Sequence, residues 1–209
     1  MHMDKILQFS NQNIPHTPAE REKIINNAAK AYEKFLDALK FNWREDPNAA
    51  NTPKRVAKAY VNDLIAGCYS EAPAITSFPS DYSGMLFEGN IPLVSMCAHH
   101  HQNIIGVVHI AYIPDGRVVG LSKLNRIVEF YGRRPTIQED LTTQIHDAVN
   151  TVCENNKGVA IVVSAAHQCV SCRGIKHQGC MTKTSKLSGD FMSDSSTRAE
   201  FYNFIADLK

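Results

Sequence analysis

Apolar residues between positions 18 and 39 recur at Ile24, Ala28, Tyr32, Phe35 and Leu39, with Ile25, Ala29 and Leu36 widening the stripe. That spacing predicts an amphipathic helix. Thr17-Pro18-Ala19-Glu20 supplies its start: Thr17 as cap, Pro18 at the first helical position, and Glu20 to complete a capping box. After a polar loop (Arg44 to Asn51), Thr52-Pro53 opens a second helix. Its inward face is Val56, Tyr60, Val61, Leu64 and Ile65, and it ends near Gly67. Residues 1–16 are polar and unpatterned and read as a mobile arm. Residues 1–70 are therefore expected to form an N-terminal arm with a two-helix appendage, and 71–209 a separate domain.

From about Pro73 the pattern changes to short apolar runs and alternation. Ile91 to Met96 and Asn103 to Pro114 read as strands, and Asp115-Gly116 as a hairpin turn returning through Val118-Val119. Ser122 is placed to cap a helix carrying Leu124, Ile127, Val128 and Tyr131. Residues 137–154 form another amphipathic helix through Leu141, Ile145, Val149 and Val152. Gly158 to Ala166 is β-branched and strand-like, Lys176 to Lys186 extended, and Thr197 to Glu200 a capping box for a last helix with Phe201, Phe204, Ile205 and Leu208.

Composition narrows the classes. The 209 residues are 44% hydrophobic, enough for a sizeable core, and the net charge is +1 with acids and bases mixed throughout. A nucleic-acid surface needs a concentrated basic stripe, so no nucleic-acid partner is expected. No apolar run approaches a membrane span, and the start lacks the apolar core of a signal peptide. Six cysteines are too sparse for a disulfide scaffold at this length, so a cytoplasmic protein with reduced thiols is expected.

The chemistry concentrates in two stretches. Ser95-Met96-Cys97-Ala98-His99-His100-His101 places a thiol and three imidazoles at a strand end, and His167-Gln168-Cys169-Val170-Ser171-Cys172-Arg173-Gly174 lies far along the chain. Cysteine and histidine are the usual zinc ligands, and Cys97 with His100 are spaced to grip one ion. If the second stretch is extended, His167, Cys169, Ser171 and Arg173 share a face and Cys172 lies on the other, which favours Cys169 as third ligand. Three protein ligands leave an open zinc position, where the pKa of water falls from about 16 to roughly 7. His99 and His167 would flank it as free imidazoles suited to proton transfer. A closed structural site using Cys97, His100, Cys169 and Cys172 is the competing reading. A zinc nucleobase deaminase would want Glu and Pro where this chain has Gln102 and Gln168, and is excluded.

Cys97-Ala98-His99-His100, Gly120-Leu121-Ser122-Lys123-Leu124-Asn125-Arg126, Arg134-Pro135-Thr136-Ile137-Gln138-Glu139 and His167 to Gly174 occur in the order of the motifs of GTP cyclohydrolase I, and Thr52 to Lys58 resembles that family's Thr-Pro-x-Arg segment. The resemblance is colinear from about Thr52 to Leu208. It implies an α+β tunnelling fold, in which an antiparallel sheet carries helices packed on one face. It also implies a homodecamer with active sites at subunit junctions.

As activity, it implies hydrolytic opening of the GTP imidazole ring, release of formate and rearrangement to dihydroneopterin triphosphate, the first step of pterin and folate-type biosynthesis. The implied zinc ligands are Cys97, His100 and Cys169, with His99 and His167 as proton-transfer residues and Ser122 near the ribose. Glu139 would hold the guanine edge, with Gln138 as an amide partner. Lys123, Arg126 and Arg173, together with Arg55 and Lys58, would neutralise the triphosphate.

The chain departs from the family pattern at Ala98, where Glu is usual, at His101, where an apolar residue is usual, and at Cys172. Two alternatives follow: a homologue that binds zinc and a purine or pterin with weak turnover because of Ala98, and a structural zinc module.

Overall fold

A computed structural model of the chain describes residues 5–208. The helix start read from Thr17 to Glu20 is present. Thr17 Oγ1 accepts from the Glu20 amide at 3.3 Å, and the Glu20 carboxylate accepts from the Thr17 amide at 2.7 Å. This reciprocal pair satisfies two backbone donors at the start of α1 (Pro18–Ala38), and such a cap contributes about 1 kcal/mol. The second helix is not one continuous element. α2 (Thr52–Ala59) passes into a π-turn at Tyr60–Leu64 and a 3-10 turn at Ala66–Cys68. Ile25, Ala29, Ala57 and Val61 close a small core between the two helices.

The first four residues of the expected mobile arm lie outside the described residues; the rest is tied down. The amides of Ile14 and His16 donate to the Cys68 and Tyr69 carbonyls, both at 2.9 Å. Asn13 Nδ2 donates to the carbonyls of Gly67 and Ser70 at 2.8 and 2.7 Å. The segment shows no periodicity because it forms a strap whose polar groups are satisfied one by one.

Seven strands follow: β1 (Ser77–Pro79), β2 (Leu86–Cys97), β3 (Asn103–Ile113), β4 (Arg117–Val119), β5 (Pro135–Thr136), β6 (Gly158–His167) and β7 (Thr182–Leu187). Five of them form a mixed sheet in the order β5-β2-β3-β6-β7, antiparallel throughout except for the short parallel pair β2–β5. The turn at Asp115-Gly116 exists, with Gly116 at φ 80°. The returning strand β4 nevertheless pairs with β1 and not with β3. Both edges of β3 are already taken by β2 and β6, so β4 has no free edge to join.

The helices are α3 (Leu121–Gly132), α4 (Gln138–Val152), α5 (Gln168–Ser171), α6 (Asp190–Ser193) and α7 (Ser195–Ala206). α3 and α4 bury Leu124, Ile127, Val128, Leu141, Ile145 and Val149 against Ile104, Val108, Ile110, Val159, Ile161 and Val163 of the sheet. The expectation of helices on one face alone needs correction. Phe191 and Phe201, from α6 and α7, pack on Ala111, Ile113, Ala160 and Val162, which point to the opposite face.

Two caps also differ from expectation. Gly120, not Ser122, precedes α3, and it makes no side-chain cap; Ser122 sits inside the first turn. α7 is capped by Asp194, whose carboxylate accepts from the Ser196 and Thr197 amides at 2.9 and 3.3 Å, so the box at Thr197 is not used. A carboxylate three residues upstream accepts two bonds at once and outcompetes a hydroxyl. No helix among the described residues is long and apolar enough to cross a membrane.

Candidate metal centre and its surroundings

The cluster is built by the β2–β3 reversal. The Cys97 amide donates to the Gln102 carbonyl at 2.8 Å and the His101 amide to the Cys97 carbonyl at 2.9 Å. The chain turns back within Ala98 to His101, with His101 in the left-handed region at φ 50°. Ala98 N donates to the Thr136 carbonyl at 3.1 Å, which fixes the turn against β5. Cys97 is therefore the last inward-facing strand residue, 5% exposed, while His100 stands on the exposed turn above it.

Cys169 arrives from the end of β6. The expected extended run His167 to Arg173 is instead a helical turn, α5, so the alternation used to choose Cys169 over Cys172 does not apply. The helical turn still brings Cys169 to the cluster. The donor atoms of Cys97, His100 and Cys169 lie within 4.8 Å of one another, and Cys172 is exposed outside that group.

Two thiols and an imidazole are a zinc-type donor set. Burial, and then the adjacent Cys97 sulfur, push the Cys169 thiol up, with the Arg173 charge opposing. Crowded thiols of this kind are relieved by a cation, which favours their deprotonated form, so the residues fit a metal.

Around the three donors stand two further histidines. His99 Nδ1 is 4.0 Å from Cys97 Sγ, and its ring meets that of His100 edge-on at 6.2 Å. His167 closes β6, opposite Ile104 of β3, and burial pushes its pKa down while the Glu139 charge opposes. Its Nε2 lies 2.7 Å from Gln138 Oε1. Gln138, expected at the substrate's base edge, is 1% exposed, and its amide is engaged entirely by protein. Glu139 is exposed in the first turn of α4. His101 turns away from the cluster toward Tyr60, ring to ring at 6.0 Å.

The remaining expected residues are dispersed. Arg173 is exposed just beyond α5, at the cluster's end of the sheet. Ser122, Lys123 and Arg126 lie on the first turns of α3, toward the opposite end. Asn125 Nδ2 donates to Glu88, and Lys123 Nζ donates to the Ala74 carbonyl at 3.2 Å. Glu88 precedes Cys97 on β2 by a strand length of about 30 Å. Arg55 and Lys58 are exposed on α2. Within one chain, then, the cluster and the α3 cations do not meet. Pattern reading missed the Thr142–Thr184 pair that surrounds Gln138. A usable signal was the buried stripe of α4, since Gln138 and Thr142 fall in phase with Leu141 and Ile145.

Fold and site together define an α+β protein with a Cys–His–Cys metal-type centre where two strand ends meet. Comparison with known proteins identifies the family. The family model described as GTP cyclohydrolase I matches residues 28–206, and the chain belongs to that family. It is 43% identical over 169 residues to a protein of Chlorobaculum tepidum named GTP cyclohydrolase 1, covering 78% of this chain and 75% of that one. A protein of that name from Aeromonas salmonicida is 45% identical over 159 residues, 75% of this chain and 72% of its own. One from Mycolicibacterium paratuberculosis is 38% identical over 202 residues, 93% and 97% of the two chains. Among solved structures, the apo form of the archaeosine synthase QueF-Like aligns with a TM-score of 0.40 at 20% identity, covering 53% of this chain and 96% of that one, too distant to carry an argument.

Proposed function

We propose that this chain is a GTP cyclohydrolase I: a tunnelling-fold, cytoplasmic subunit of a homodecamer that holds one zinc through Cys97, His100 and Cys169. It opens the imidazole ring of GTP, releases formate and yields dihydroneopterin triphosphate for pterin and folate-type biosynthesis. The observation that carries the reading is the convergence of those three donors, brought from the end of β2, the turn after it and α5 to within 4.8 Å of one another. Family membership supplies the reaction.

When bound, zinc supplies Lewis-acid activation of water near neutral pH. The chain's own residues do the rest. Glu139 accepts the ring N–H and exocyclic amine of guanine and orients the base. His99 and His167 exchange protons with the nitrogens of the opening ring. Arg173 neutralises phosphate from the cluster's side. Lys123 and Arg126, about 30 Å along the sheet in their own chain, reach the same triphosphate from a neighbouring copy, as does Ser122 toward the ribose. Arg55 and Lys58 add charge from the appendage.

The test is to incubate zinc-loaded protein with GTP and follow formate and the fluorescent oxidised pterin. Stoichiometric formate supports the reading. Tight GTP binding without formate would instead indicate the binding homologue, and neither binding nor formate the structural module.

A further inference from the structure

The side chain of Gln138 has only one way to sit. Its Nε2 is 3.1 Å from the Thr182 carbonyl, 3.1 Å from Thr184 Oγ1 and 3.3 Å from the Val163 carbonyl. Carbonyl oxygens only accept, so the amide NH2 must face this side and Oε1 must face His167. The hydroxyls agree with that assignment. Thr142 Oγ1 spends its one proton on the Gln138 carbonyl at 2.8 Å, so in the 2.6 Å contact between Thr142 and Thr184 the donor is Thr184. Thr184 Oγ1 is then free to accept from the Gln138 amide. Every proton in the chain α4–β7–β6 has one direction, and its last member is an amide oxygen that only accepts. The atom it meets at 2.7 Å, His167 Nε2, must therefore carry a proton.

We infer that Gln138 is a positioning residue that holds neutral His167 as the Nε2–H tautomer, so that Nδ1 is the nitrogen bearing the lone pair, and that Gln138 does not itself read the purine. The inference rests on the functional reading above only for its consequence: Nδ1 is then the atom of His167 through which a proton is taken up during turnover. The tautomer itself follows from the hydrogen bonds alone. Gln138 is fully consumed inside the protein, with 1% of its surface exposed, which leaves guanine recognition to Glu139.

The decisive measurement is solid-state 15N NMR of zinc-loaded protein labelled at histidine, at alkaline pH where imidazoles are neutral, with the His167 signals assigned by their loss in His167→Asn. The expected spectrum shows a protonated Nε2 and an unprotonated Nδ1. A protonated Nδ1 at His167 in the wild-type protein overturns the inference, the variant serving only to assign the signals. Gln138→Leu should give a tautomer mixture and lower kcat by about 10–100-fold, as does loss of the partners that orient other functional imidazoles. Its GTP dissociation constant should stay within about twofold, the range expected when no ligand contact is removed. A parallel loss of GTP affinity with kcat unchanged would make Gln138 a base reader and overturn the inference. Failure of the functional reading is separately visible: His167→Asn that turns GTP over at the wild-type rate would remove His167 from the reaction whatever its tautomer.

Discussion

The two ends of the five-stranded sheet are built on different principles. At the Cys97 end the backbone closes a tight reversal, Thr136 and Gln102 hold it by backbone bonds, and Gln138, Thr142, Thr184 and His167 form a partly buried, fully directed network. At the other end Ser122 and Arg126 project from an uncapped helix start, and the Lys123 ammonium donates to the Ala74 carbonyl. The first end is pre-organised within a single chain, and at the second Lys123 and Arg126 form no ion pair among the described residues. Metal ligation demands donor placement to a few tenths of an ångström, which only a packed fold provides. Phosphate neutralisation tolerates long, flexible cations and can be completed by another copy.

The largest expected effect breaks the pre-organised end. Cys169→Ser removes one of the three proposed ligands and should abolish stoichiometric zinc and reduce formate release by at least about a thousandfold. Cys172→Ser, outside the cluster, should keep the metal. Zinc analysis of the purified proteins reads both, and loss of zinc in Cys172→Ser would favour the closed four-ligand site instead.

An intermediate effect probes the charged groups. Arg173→Ala should weaken GTP binding by about 10–100-fold, equivalent to about 1.5–3 kcal/mol for a hydrogen bond to a charged group. Guanosine binding should not move if Arg173, as proposed, meets only the phosphates. Calorimetry with both ligands checks this, and equal losses would take Arg173 off the triphosphate.

The smallest effect sharpens the pre-organised end. Ala98 lies directly between Cys97 and His99, and its backbone is already fixed to Thr136. Ala98→Glu adds a carboxylate beside the donors without disturbing that bond, and should slow zinc loss to a chelator by up to about tenfold. An unchanged rate would mark the position as neutral.

The same contrast governs what could be read from residues alone. The helix stripes, the Thr17–Glu20 cap and the strands leading into Cys97 and His167 follow local periodicity and were legible. So were the two clusters of donor-type residues, a chemical signal as well as a pattern, although the alternation that singled out Cys169 did not hold. The pairing of β4 with β1 was not legible, since a three-residue strand carries no register information and the decision depends on β3 having both edges occupied. The helical turn at Gln168–Ser171 is too short to show a period. The inward direction of Gln138 was not legible, because a polar residue opening a helix ordinarily faces water. Its inward direction comes from three acceptors on β6 and β7, which no local window contains.

The claim that joins the two ends is that each site takes its metal cluster from one copy and its α3 cations from another. It is tested most directly by mixing two inactive variants, Cys169→Ser and the double change Lys123→Ala with Arg126→Ala, after dissociating and reassembling the subunits together. Random assembly at equal amounts should restore about a quarter of wild-type activity, because that share of junctions pairs an intact cluster with an intact α3. No recovery from a properly reassembled mixture would contradict the account and require both groups to serve one site within a single chain.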